Sequence, residues 1–320
     1  MKHQILALAV AALSFTACSN EDNISQDYLA NTPIKLNVSV DEPTTRAGYS
    51  NAELPEGFLL AVYHKLEDQK VDDKYSYEVW AKKVGDSWKT YKPDETLKGG
   101  TDKEVTMLWA NMKDKVDVMA FTNLGTITIP TDQTSDDQLK QADVLYMPST
   151  QYTPTEKSIQ VNLQHAMSKI NLTIELGSEY EFSKEDVDLK ITDVKIDGSS
   201  VSGDLASGGI YDVLGDPQTI TPLNTGATPF KKAEDGTITK AKATYEAILI
   251  PQDITSGKFT VSFKVDGKLY EWAYNQELTL APNTAYTLKL IAGNDKVQPA
   301  SFSAAKWKPG NGDGENKETD

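Results

Sequence analysis

From residue 33 the chain alternates. In PIKLNVSVDE, Ile34, Leu36, Val38 and Val40 fall on one side and Lys35, Asn37 and Ser39 on the other. A period of two marks a strand with one buried face, because successive side chains leave a pleated strand in opposite directions. Further β-rich runs follow in FLLAVYHKL, YSYEVWAKKV, SWKTYK, EVTMLWA, KVDVMAFTN and TITIP, with Gly, Pro, Asn and Asp clusters between them. A second series opens at SIQVNLQHAMSKINLTIEL and continues through VDLKITDVKIDG, TYEAILIP, KFTVSFKVDGKLYEWAY and AYTLKLIA. This spacing predicts an all-β fold, two β-sandwich domains in tandem, joined near residues 155–165. The expected domains are 47–160 and 161–296.

Finer signals sit inside that pattern. Asp266-Gly267 between two β-rich arms is the strongest short hairpin signal in the chain. SDDQLKQADVLYM predicts a short helical turn followed by an extended piece, and no long amphipathic helix is expected. DGSSVSGDLASGG and PLNTGATPFKKAEDG are loop-like in composition and predict a long insertion in the second domain. At the end, residues 297–320 divide into an extended, mildly apolar VQPASFSAAKW and a charged KPGNGDGENKETD with nothing to bury.

The beginning is of another kind. A positive Met1-Lys2-His3, an apolar run from Ile5 to Phe15 and the small residues of TACS read as a secretory signal over residues 1–17. Cys18 is the single cysteine and stands where that signal ends, so no internal disulfide is available. FTAC resembles the bacterial lipobox, which makes Cys18 the expected lipidation site, and SNED resembles the surface-export signals of Bacteroidetes lipoproteins. No later segment holds 18 consecutive apolar residues, so no membrane-spanning helix is expected.

Charge and inventory narrow the function. The net charge of −15 repels phosphate backbones, and no lysine-rich cluster offsets it, so nucleic acid is not an expected partner. The histidines are His3, His64 and His165. With no G-x-S-x-G, no H-E-x-x-H, no phosphate loop and no cysteine nucleophile, we expect no catalysis, no cofactor and no metal site. His165 reads as a packed structural residue, and NGDGEN as a solvated tail rather than a calcium loop. Trp80, Trp88, Tyr91 and Trp109 read as sandwich core, the other reading being a platform for sugar rings.

Several segments together resemble the fimbrillin family, the two-domain pilins of Bacteroidetes, most closely its Mfa-like branch. They are MLWANMKDKVDVMAFTN, ADVLYM, LQHAMSKINLTIEL, AILIPQDI and LAPNTAYTLKL, in family order over most of the chain. The resemblance implies transthyretin-like sandwiches and a lipoprotein precursor at the outer membrane. It further implies an arginine-specific protease that cuts near the first strand, and a neighbouring subunit whose C-terminal segment fills the vacated groove. Arg46 is the only arginine in the chain and lies in the polar DEPTTRAG, which suits an exposed loop. Cleavage between Arg46 and Ala47 would therefore detach a lipidated propeptide, 18–46, together with a removable strand formed by Ile34, Leu36, Val38 and Val40. The donor candidate is the alternating triplet Ala300, Phe302 and Ala304, with Phe302 expected to insert deepest; Trp307 falls out of that register unless a β-bulge restores it. The implied role is a fimbrial pilin that supports adhesion, its partners being other fimbrial subunits, the protease, the outer membrane and a host or bacterial surface ligand. The alternative is a non-polymerising or tip surface lipoprotein.

Overall fold

The computed structural model describes residues 28–40, 48–50, 53–66, 70–180, 191–205, 211–229, 231–232, 238–293 and 295–307. Cys18, Arg46 and Ala47 lie outside the described residues. Eight strands hydrogen-bond in one path: β1 (Leu36–Val40), β9 (Ile159–His165), β8 (Leu145–Tyr152), β6 (Val116–Phe121), β2 (Gly57–His64), β3 (Tyr77–Val84), β4 (Ser87–Pro93) and β5 (Gly100–Glu104). Their inward side chains share one core, which runs in sequence from Leu29 to Leu163. GFLLAVYH forms the central strand β2 and is buried almost throughout, as its unbroken apolar run requires.

Two further sheets enclose a second, larger core. One has the order β13 (Leu223–Thr228), β16 (Lys242–Leu249), β10 (Ser168–Leu176), β21 (Thr284–Ala292) and β22 (Val297–Lys306). The other runs β12 (Tyr211–Ile220), β11 (Ile191–Leu205), β18 (Thr260–Val265) and β19 (Lys268–Ala273), with β7 (Gly125–Thr128) also paired to β11. Two short ribbons pair β14 (Lys231–Lys232) with β15 (Ile238–Thr239), and β17 (Gln252–Ile254) with β20 (Leu278–Leu280).

The halves are interleaved in sequence. β7 and α1 (Asp136–Ala142) precede the expected boundary, yet Ile127, Leu139 and Ala142 belong to the second core. That boundary, after residue 160, falls inside β9, which completes the first sheet. The expected helical turn is α1, closed by a capping box in which Ser135 and Gln138 satisfy each other's backbone N–H groups. Between β18 and β19, Asp266 (φ 50°) and Gly267 (φ 80°) make the expected two-residue hairpin, both in the left-handed region that this turn demands.

The expected long insertion is largely sheet. Fifteen-residue β11 pairs with β18 over its first half, with β12 from Ile196 onward and with β7 over its last four residues, and its pairing carries three register shifts. Composition hid it because Ser199 and Ser200 are buried, and a strand interior normally excludes two adjacent serines. Gln252 resolves the cost, donating to Ser199 Oγ at 2.8 Å and accepting from Ser200 N at 3.0 Å.

Burial of tyrosines sets the alkaline limit of this fold. Burial raises the phenol pKa of Tyr49, Tyr77, Tyr146, Tyr152, Tyr180 and Tyr286 above 10.0, and that of Tyr63 to about 12. An acid whose folded pKa exceeds its unfolded value keeps its proton only when folded, so its stability contribution is intact below pH 10.0 and is lost as pH rises beyond. Lys169 acts oppositely: burial lowers its pKa from 10.5, so it adds stability as pH climbs toward that value. With several tyrosines against one lysine, the urea midpoint should fall as pH rises from about 10.5 to about 12. A flat or rising midpoint would contradict this.

Candidate functional site

β1 lies at the edge of the first sheet and pairs in parallel with β9, from Leu36 opposite Ile159 to Val40 opposite Leu163. Ile34, Val38 and Val40 are buried, and Leu36 is half-buried against the same core. On the outer face Asn37 Nδ2 donates to Gln160 Oε1 and Ser39 Oγ to Asn162 Oδ1, each at 2.7 Å. The strand enters through backbone bonds from Asn31 N to Trp109 O and from Ile34 N to Met107 O, both 2.9 Å. β1 is thus held by one neighbouring strand, a short entry ladder and one row of apolar side chains. Its removal would uncover Ile159, Val161 and Leu163 of β9, all buried beneath it.

At the other terminus, β22 is the edge of its own sheet, antiparallel to β21. Ser301 pairs with Lys289 and Pro299 with Leu290, which leaves Ala300 as the extra residue of a bulge. Phe302 is half-buried, its ring 4.9 Å from Tyr274 and 6.1 Å from Tyr286, while Ala300 and Ala304 are exposed. Of the expected donor triplet, only Phe302 meets an apolar wall here. The bulge lies upstream of Phe302 and does not bring Trp307 into register. Trp307 instead turns inward just past the strand and is 1% exposed, the deepest side chain of the segment.

Trp307 ends at the junction between the two cores. Its indole stacks on His165 with centroids 3.9 Å apart and planes 3° from parallel, and its backbone N–H donates to Asn283 O at 2.7 Å. His165 is the last residue of β9, and its Nδ1 is 2.8 Å from Asp143 Oδ1. Asp143 Oδ2 accepts from Tyr49 N at 2.8 Å. Gly48 completes the packing: its φ is 96°, and a Cβ there would come within 2.5 Å of Asp143 Oδ2 and 3.7 Å of the Trp307 ring. Only glycine fits. Lys169 Nζ lies 5.7 Å from the Trp307 ring and 2.9 Å from Glu246 Oε2; burial pushes its pKa down, with Glu246 and then Asp143 working against the shift.

The chain two residues after Arg46 and the chain one residue after β22 therefore meet on one buried Asp–His pair. His165 is packed, as expected, with Trp307 over its ring. The roles of Gly48, Asp143 and Trp307 were invisible in sequence, because three distant segments supply them and none forms a motif. His64 is likewise buried, its Nδ1 3.1 Å from Asp72 Oδ2. Among the described residues no group of three or more His, Cys, Asp or Glu side chains could hold a metal ion.

The model of the family described as fimbrillin-like matches residues 62–307. Among curated protein sequences none matches significantly. Solved structures share the architecture at low identity. A Bacteroides ovatus protein provisionally assigned to cell adhesion superposes with a TM-score of 0.58 at 16% identity, over 85% of this chain and 97% of that one. A second such protein, from Bacteroides uniformis, gives 0.52 at 16% identity over 86% and 98%. A fimbrial protein from Bacteroides vulgatus gives 0.51 at 15% identity over 86% and 99%. At these identities the likeness carries the fold alone.

Proposed function

The chain belongs to the fimbrillin-like family, and from that premise we propose that it is a fimbrial subunit that assembles by exchanging its first strand for one from a neighbouring subunit. The precursor is exported, acylated on Cys18 and held at the outer membrane. An arginine-specific protease cuts between Arg46 and Ala47, β1 leaves, and the C-terminal segment of another fimbrial subunit occupies the groove along β9. The assembled fimbrium supports adhesion to a host or bacterial surface. No step is catalytic, and no cofactor, metal or nucleic acid takes part.

One observation carries this reading: the strand between the lipobox and the sole arginine is an edge strand, paired among the described residues to β9 alone and seated on a continuous apolar row. An edge strand can leave without breaking any other strand pair. The junction supports the timing. Gly48 and Tyr49 brace Asp143, which orients His165 beneath Trp307. A cut two residues before Gly48 loosens that brace and frees β22 to act as a donor.

The burial of Trp307 also favours a second reading, a tip or non-polymerising surface lipoprotein whose C-terminal strand stays parked on its own domain. The first step is tested by expressing the precursor with the protease. Wild-type chain should give a product whose N-terminus, by intact mass and sequencing, is Ala47, and Arg46→Ala should leave more than nine-tenths of the precursor uncut, on the order of a tenfold change. Equal cleavage of both would overturn it.

A further inference from the structure

A second feature lies far from the exchanged strand. Val79 and Ala81 of β3 face the first core, so Trp80 and Lys82 point to the opposite face of the sheet. There Trp80 stands directly across from Tyr91 of β4, and the two line an open cleft of about 350 Å³ with Glu56, Lys82, Lys98 and Asp102. Positions on the outer face of a sheet are ordinarily polar; two large aromatics side by side need a reason.

The Trp80 ring is fixed rather than merely exposed. A Cβ at Gly57 would come within 2.4 Å of its Nε1, and one at Gly100 within 2.8 Å of its Cδ1. The indole is slotted against two glycine backbones, from β2 and β5, and what remains uncovered faces the cleft. Elsewhere on this face charged groups have partners, Lys89 with Glu104 at 3.2 Å and Glu78 accepting from the Tyr63 hydroxyl at 2.6 Å. Glu56, Lys82, Lys98 and Asp102 form no ion pair among the described residues and converge on the aromatics.

We propose that this cleft is a saccharide-binding site. A pyranose ring has an apolar C–H face that rests on the negative face of an aromatic ring, and hydroxyl groups that need acceptors and donors around its rim. Trp80 and Tyr91 supply the platform, Glu56 and Asp102 accept from hydroxyls, and Lys82 and Lys98 donate. The cleft is at the small end of ligand sites, and its rim is too polar for a purely apolar ligand. Two carboxylates and two lysines line the cleft together, which suits hydroxyls of mixed donor and acceptor character better than a polyanion. The site lies at the opposite edge of the sheet from β1, so uncut precursor and assembled protein, in both of which the first sheet is complete, should bind alike.

Full-length chain without its signal would be applied to immobilised oligosaccharides ending in hexose, N-acetylhexosamine or sialic acid, and any retained sugar titrated free by tryptophan fluorescence. The expected result is saturable binding that Trp80→Ala and Tyr91→Ala weaken at least tenfold. Asp102→Asn and Glu56→Gln, exposed positions that leave the fold alone, should weaken it severalfold. Trp80→Phe, which keeps a ring face, should lose less than Trp80→Ala. Retention of no saccharide by the wild type, or unchanged affinity in Asp102→Asn, Glu56→Gln and a natively folded Trp80→Ala, overturns the proposal.

Discussion

Trp307→Ala should release β22 from the body of the protein while leaving the rest folded. Truncating a buried tryptophan costs about 3–5 kcal/mol. Among the described residues the indole Nε1–H has no hydrogen-bond partner, so the loss is one of packing rather than of a hydrogen bond. The loss should be local. Among the described residues β22 pairs with β21 alone and buries little besides Phe302 and Val297, so without its anchor it unzips before either core opens. Amide hydrogens paired with β21 should then exchange on the order of a hundredfold faster, since about 1.4 kcal/mol is a factor of ten. Trp307→Phe keeps a ring over His165 and should lose less. In the cut protein the alanine variant should also assemble faster, because its donor is already free. Unchanged protection of β22 would remove Trp307 as the anchor.

The parts of this molecule that local pattern governs were legible in sequence. The alternation at Ile34 to Val40 gave β1 its inward row, Asp266-Gly267 its hairpin, and SDDQLKQA its capped helix. What escaped was set by distant partners. β11 was obscured because two buried serines are satisfied by Gln252, some fifty residues away, and no local rule anticipates that. Trp307 looked out of register because register was judged along one strand, whereas its seat is built by His165, Asn283 and Gly48 from three other places. The aromatic set divided in a way composition could not show. Trp109 is core, Trp88 packs against Phe58 at 5.3 Å, and Trp80 with Tyr91 turn outward.

The largest expected effect concerns β1 itself. Four apolar side chains leave the core with that strand, each worth roughly 1.5–3 kcal/mol when fully buried, so the vacated groove represents about 6–12 kcal/mol. That figure is a ceiling, since unfolded chains hide some apolar surface and Leu36 is only half-buried, yet it matches the net stability of a domain. A cut subunit should therefore either recapture a strand or lose its first domain. Holding the native strand in place should abolish assembly outright.

Ser39 and Asn162 permit this test, being register partners on β1 and β9 with side chains 2.7 Å apart on the outer face. Adjacent strands lie about 4.8 Å apart, within the span of a disulfide. Cys18 is the only native cysteine, so Ser39→Cys with Asn162→Cys in a Cys18→Ser background gives one possible bridge. The measurement is polymer formation, by SDS-resistant ladders and electron microscopy, after cleavage at Arg46 with the bridge oxidised and then reduced. The account predicts monomers while the bridge holds β1 and polymers once reductant releases it. Equal polymerisation of the bridged and reduced forms, or none after reduction, would contradict strand exchange.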